Sequence, residues 1–324
     1  MPDWIEVLSV VDCGVITSRM AQDAGVRPSE IRRAILAGQL VRVRRGAYVA
    51  APVWNGSMPH NRHRLLVIAT ARLSPRPLVV SNLSAAAMHK LPTIGVWPTS
   101  VHTLEPGVAG GASASLLTSH AGPASEVVVI DGVTVTTVTR TLVDIAATQP
   151  FERSVVAMDT ALRRLGVKGD ASGGGVRKAL LEELESISPR YGRRRAEEAI
   201  MFSDGRSESP GESLSRVRFK QLGFVVPILQ VRFLRANNGR DAVVDFFWKG
   251  ARTAGEFDGK QKYTRGRFIP DDIELGEVVF QEKRREDALR RTCVDSVARW
   301  VWDEVRAADV FFRLMNEYEV PRVR

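Results

Sequence analysis

From Val243 the chain places two short apolar runs around a polar turn: Val-Val-Asp-Phe-Phe-Trp (243–248), Lys-Gly-Ala-Arg (249–252), then a run containing Ala254-Gly255-Glu256-Phe257-Asp258. The pattern predicts a β-hairpin with a four-residue loop. A symmetric loop sets Trp248 opposite Thr253 and, counting back along both strands, Asp245 opposite Glu256. Opposed cross-strand Cβ atoms lie roughly 4.5–5.5 Å apart, and like charges there repel. Such a pair normally needs a cation between its carboxylates. Alternation adds Asp258, and Lys260 if the strand persists, to the face of Glu256, with Val244, Phe246 and Phe257 on the other.

The same periodicities read along the rest of the chain. Trp4 to Val11 is a short helix, Thr17 caps a second that stops at Gly25, and Pro28 and Ser29 open a third that ends at Gly38. Leu40 to Val49 alternates apolar and basic residues around a Gly turn. Helix, turn, helix and basic ribbon is a winged helix-turn-helix order. It sets Arg27, Ser29, Arg32 and Arg33 on the helix that would enter a major groove, and Arg42, Arg44 and Arg45 on the wing. A solvated basic face on an interaction domain is the blander reading.

Further on, Arg62 to Leu73 reads as an amphipathic helix, and Asp131-Gly132 between two β-branched runs is a hairpin signal. Thr139 or Thr141 is the expected cap of the next helix. The five histidines show no metal-ligand spacing and read as surface or satisfied core residues. Residues 150–205 are helical, interrupted by a Gly-rich connection at 169–175 that lacks the Lys-Ser/Thr ending of a phosphate cradle. From Ser209-Pro210-Gly211-Glu212, a capping-box helix start, the order becomes helix, three strands, a helix over 277–290, a strand at 297–302 and a closing helix. The expected fold class is α+β multidomain: 1–52 winged helix, 53–147 α/β middle domain, 148–206 helical connector and 207–324 α/β core.

Composition adds a partner class. Forty-six Lys plus Arg against 37 Asp plus Glu give net +9, which favours a polyanion. Two cysteines exclude a disulfide framework and a Cys-based zinc site. No run reaches the roughly 18 apolar residues of a membrane span, and the start Met-Pro-Asp-Trp-Ile-Glu lacks the pattern of a signal peptide. A cytoplasmic location is the expectation.

Two resemblances follow. Gly38-Gln39-Leu40-Val41-Arg42-Val43-Arg44-Arg45-Gly46-Ala47-Tyr48, with Ser84-Ala85-Ala86 through His89 to Leu91-Pro92, resembles the AbiEi-type antitoxins, winged-helix repressors of toxin–antitoxin systems. Ser209-Pro210-Gly211-Glu212-Ser213, Val244-Asp245-Phe246-Phe247-Trp248 and Glu256-Phe257-Asp258-Gly259, with Glu282 to Asp287 downstream, resemble the short-patch-repair-like PD-(D/E)xK domains of the restriction-endonuclease-like fold. That likeness implies a metal-dependent DNA endonuclease guided by the winged helix. Asp245, Glu256 and Glu212 would hold Mg²⁺ or Mn²⁺, with Asp258 beside them and Lys283 and Arg284 on the DNA backbone. One departure stands out: Asp258 occupies the position of the family's lysine, and alternation favours Lys260 as its substitute. The alternative is an antitoxin-like repressor with an inactive nuclease fold. The implied partners are double-stranded DNA and a cognate nucleotidyltransferase-like toxin; the chain as a homodimer is a further option.

Overall fold

The computed structural model describes residues 1–106, 113–114, 116–123, 126–166, 173–187, 191–237, 240–259, 289 and 294–323. It is a mixed α+β structure with several separate sheets. Two compact units form: Met1–Ala161 with Gly174–Phe202, and Leu162–Gly173 with Ser203–Arg324.

The first unit begins with α1 (Asp3–Val11), β1 (Ile16–Thr17), α2 (Ser18–Asp23), α3 (Pro28–Leu36), β2 (Leu40–Arg44) and β3 (Ala47–Ala50). Thr17 caps α2 as expected, its Oγ1 accepting from Met20 N at 3.1 Å, and Pro28 takes the first turn of α3. The strands lie in the order β1-β3-β2. Ile5, Ile16, Ala21, Ile31, Leu40 and Tyr48 form one apolar core under these elements.

Then follow α4 (Ala51–Gly56), α5 (Pro59–Leu73), α6 (Asn82–Met88) and β4 (Val101–Pro106), with β5 (Ser113–Ala114) and β6 (Leu117–Gly122) beside β4. β7 (Val127–Ile130) and β8 (Val133–Thr136) form the expected hairpin, with Asp131 and Gly132 both at positive φ in its turn. Four helices follow: α7 (Val138–Thr148), α8 (Phe151–Leu165), whose last turn from Leu162 belongs to the second unit, α9 (Gly174–Ile187) and α10 (Arg193–Phe202). The cap of α7 is Thr137, whose side chain accepts from Arg140 N. Thr141 instead turns inward to hydrogen-bond Thr136 Oγ1 at 2.8 Å, which explains why a run of threonines misled the expectation. A second core joins Val15, Ala47 and Val49 of the N-terminal segment to Leu65, Ile68, Met88, Val101 and Val135.

The second unit holds α11 (Pro210–Gln221), β9 (Ile228–Asn237), β10 (Arg240–Trp248), β11 (Thr253–Asp258), β12 (Ser296–Val301), α12 (Trp302–Arg306) and α13 (Ala308–Glu317). The sheet order is β12-β11-β10-β9, antiparallel except for the parallel pair β11–β12. Trp248 pairs with Thr253 as the loop length requires. The side-chain alternation departs from expectation. Val244 packs with Ala254 and Val297, whereas Phe246 meets Phe219 of α11 on the opposite face. The ladder skips Gln230 and Asp245, and Gln230 sits at φ 50. The interruption falls between Val244 and Phe246, which turn to different sides of the sheet.

Phe219, Phe246, Trp248, Trp300 and Phe311 form an aromatic core with centroids 5.0–5.7 Å apart. The buried indoles are satisfied: Trp300 Nε1 donates to Ser215 Oγ and Trp248 Nε1 to Val225 O, both at 2.7 Å. Gly255 admits this packing, since a Cβ there would stand 2.7 Å from Trp300 and 3.0 Å from Trp248. Gly255→Ala is therefore expected to cost about 1–3 kcal/mol. Chemical denaturation of the purified variant measures it, and an unchanged midpoint would refute it.

Candidate nucleic-acid interface and carboxylate cluster

In the N-terminal segment, helix α3 presents Arg27, Ser29, Arg32 and Arg33 to solvent. Arg27 is engaged locally: its Nε meets Glu30 Oε2 at 3.1 Å, and its backbone N–H donates to the same oxygen at 2.9 Å. Arg32 and Arg33 extend from the helix surface while Ile31 and Ala34 bury the other side. On the hairpin, Arg42 and Arg45 are exposed. Arg44 is not displayed with them. It turns inward, its Nε donating to Thr70 Oγ1 at 3.2 Å and its Nη2 to Thr99 O at 3.0 Å. The cause is a register shift between Arg42 and Arg44, which interrupts the alternation that placed Arg44 on the wing surface.

Four of the five histidines make a side-chain hydrogen bond inside this unit. His63 Nε2 bonds Ser84 Oγ at 2.9 Å, His89 Nε2 bonds Thr136 O at 2.8 Å, and His102 Nδ1 meets His120 Nε2 at 2.8 Å. Burial pushes His63 and His102 down to about 4, so both are neutral at physiological pH.

In the second unit the sequence-assigned acids are partly gathered. Ser209 caps α11, accepting from Glu212 N at 3.2 Å. The return bond differs from a capping box, because Glu212 Oε2 accepts from Glu208 N at 2.8 Å. Gln230 Nε2 then bridges Glu212 Oε2 at 3.2 Å and Asp245 Oδ1 at 3.3 Å. Asp245 Oδ2 accepts from Phe257 N at 3.0 Å, so the carboxylate continues the β10–β11 junction beyond the last ladder pair, Phe246–Gly255. Burial first, and the Asp245 charge second, push Glu212 up to about 7.

Glu256 has a partner that the sequence reading did not assign. It pairs with Arg299 of β12, Nη2 to Oε2 at 3.0 Å. These two residues are register partners in the parallel pair. Asp258 is exposed at the end of β11. Among the described residues, no three His, Cys, Asp or Glu are grouped to hold a metal. Lys260, Lys283 and Arg284, with most of the helix expected over 277–290, lie outside the described residues. Gln230 and Arg299 were not singled out from the sequence. Each is a lone polar residue in an apolar strand run, Ile-Leu-Gln-Val and Val-Ala-Arg-Trp-Val, and that interruption is the available signal.

The exposed arginines lie in a segment with a regulator's signature. Residues 13–51 match the family model described as "Transcriptional regulator, AbiEi antitoxin". The chain is also 28% identical over 178 residues to the uncharacterized proteins MT2308 and Rv2248, from two strains of Mycobacterium tuberculosis. That alignment covers 54% of this chain and 60% of the length of each of those proteins. Among solved structures, the crystal structure of the RV2827C protein from Mycobacterium tuberculosis aligns over 66% of this chain and 80% of its own. It does so at 18% identity and a TM-score of 0.36, too low to assign a fold. Among the described residues no helix is long and apolar enough to cross a membrane.

Proposed function

We propose that the chain is a DNA-binding transcription regulator of the antitoxin type. On this reading residues 1–52 are a winged helix-turn-helix, with α3 entering the major groove and the β2–β3 hairpin as its wing. The observation that supports it most is the joint exposure of Ser29, Arg32, Arg33, Arg42 and Arg45 inside the segment that matches the regulator family. A net charge of +9 suits the same partner. Phosphate contacts by Arg and Lys release counterions, so binding should weaken steeply with salt. Arg32→Ala combined with Arg33→Ala is expected to weaken duplex binding and to reduce the slope of log K against log salt by about 2, near 0.9 per lost phosphate contact. Fluorescence anisotropy across a salt series measures both. Unchanged affinity and slope would remove α3 from the interface. The proposal includes a cytoplasmic setting, a cognate nucleotidyltransferase-like toxin as partner, and binding of the operator as a homodimer.

A second reading concerns the other unit, and the Glu212–Gln230–Asp245 cluster favours it. Residues 207–324 would then be a PD-(D/E)xK core that hydrolyses phosphodiesters. Glu212 and Asp245 offer the hard oxygen ligands that Mg²⁺ or Mn²⁺ takes, with Glu256 and Asp258 near the same strand end. A bound ion would supply an activated water and neutralise phosphate charge. The chain's own parts are positional: Gln230 fixes both carboxylates, Arg299 compensates Glu256, and Lys260 is the proposed motif lysine. Supercoiled plasmid incubated with Mg²⁺ or Mn²⁺ tests it beside Asp245→Ala and Glu256→Ala. Cleavage by the parent chain and its loss in both variants is the expected result. No cleavage, or equal cleavage by all three proteins, leaves the regulator alone.

A further inference from the structure

The first unit contains a cavity of about 350 Å³ whose lining includes Arg44, Trp54, Arg62, His63, Leu66 and Trp97. Its size falls within the range of small-molecule sites. Two features give it the character of a built site. The first is aromatic. His63, 3% exposed, stacks on Trp97 with ring centroids 5.4 Å apart, and the Arg62 guanidinium lies 5.5 Å from the ring centre of Trp54. Trp97 is itself held, because arginines grip its loop at both ends. Arg153 Nη2 donates to Val96 O at 2.8 Å, and Arg44 Nη2 to Thr99 O at 3.0 Å.

The second feature is charge. Among the described residues that line the cavity none is acidic, while Arg44 and Arg62 are both cationic. Arg62 donates Nε to Trp54 O at 2.9 Å and Nη2 to Asn55 O at 3.2 Å, and Arg44 spends the same two nitrogens on Thr70 and Thr99. A guanidinium has five N–H donors, so each arginine keeps Nη1 for another acceptor. His63 adds a neutral donor or acceptor. Its Nε2 is bonded to Ser84, and its Nδ1 faces the Pro98 carbonyl without a well-formed hydrogen bond.

We propose that this cavity binds a planar aromatic anion of the aryl-carboxylate class, its ring against the indoles of Trp54 and Trp97 and its carboxylate on Arg44 and Arg62. Aromatic contact contributes area and orientation, and charge-assisted hydrogen bonds select the anion. The site is independent of the DNA-binding and nuclease readings.

The test titrates the full chain with naphthalene-2-carboxylate and with the neutral isostere naphthalene-2-carboxamide, by calorimetry and indole fluorescence. The carboxylate is expected to saturate one site and to bind at least about tenfold more tightly than the amide, the scale of one charge-assisted contact. Trp97→Leu should weaken it by a similar factor. Val96 is 87% exposed at the rim, so Val96→Asp adds a repelling charge without touching the core. It should also lower carboxylate affinity about tenfold and leave the amide unchanged. If Trp97→Leu also lowers thermal stability, Val96→Asp decides. Absence of saturable binding, equal affinity for the two ligands, or a Val96→Asp variant that binds carboxylate as the parent does would overturn the site.

Discussion

Phe219→Ala should destabilise the second unit by about 3–5 kcal/mol. Phe219 is fully buried on α11, and its ring touches four others: Phe246, Trp248, Trp300 and Phe311. Removing it strips the shared partner from the rings of β10 and β12 at once, and well-packed interiors relax only partly around such a void. Denaturant unfolding followed by tryptophan fluorescence measures the loss. The two compact units can unfold in separate transitions, so the shift belongs to the one that carries Trp248 and Trp300. A loss below about 1 kcal/mol would mean that the core collapses around the gap, contrary to the packing described.

The second large effect is a dependence on pH. Glu212 is 7% exposed and lies beside Asp245, and its pKa is raised from 4.5 to about 7. The folded state therefore holds a proton that the unfolded chain releases near 4.5. The sign follows from linkage: the group's contribution is fully present below about 4.5 and is lost as pH rises through about 7. At 1.36 kcal/mol per unit of pKa difference the span is about 3 kcal/mol. Stability should thus fall between pH 5 and pH 8, and Glu212→Gln, which mimics the protonated side chain, should flatten that slope. An identical pH profile in the variant would show that Glu212 titrates as an ordinary carboxyl. A divalent ion held by Glu212 and Asp245 would compete with this proton, so under the nuclease reading its affinity should rise across the same interval.

Local chemistry was readable in the sequence where one residue decides one contact. Thr17 and Ser209 cap helices because a hydroxyl before a helix has few better partners, and Asp131-Gly132 turns a hairpin because both residues accept positive φ. Two-residue counting placed Trp248 opposite Thr253 correctly, and the same register runs on through Phe247–Ala254 to Phe246–Gly255. Nothing in Ile-Leu-Gln-Val announces that Gln230 adopts a left-handed conformation where the β9–β10 ladder is interrupted. Arg44 was misplaced by a local register shift in its own hairpin. Glu256 found Arg299 because β12, 43 positions away in register, lies parallel to β11. A lone arginine in an apolar run hints at a partner, and the separation in sequence hides which one.

The ties around Arg44 bear on how such proteins can diversify. The regulator match ends at residue 51, yet the chain has no seam there. Val15, Ala47 and Val49 share a core with α5, α6 and β4. Arg72 of α5 also reaches back to Asp12 at 2.7 Å, and Arg44 reaches forward to Thr70 and Thr99. Grafting residues 13–51 onto a foreign host would leave that apolar surface bare and Arg44 without its two acceptors. Under the regulator reading, new DNA preferences should therefore come more readily from point changes at surface positions such as Arg32 and Arg42 than from exchange of the whole N-terminal segment.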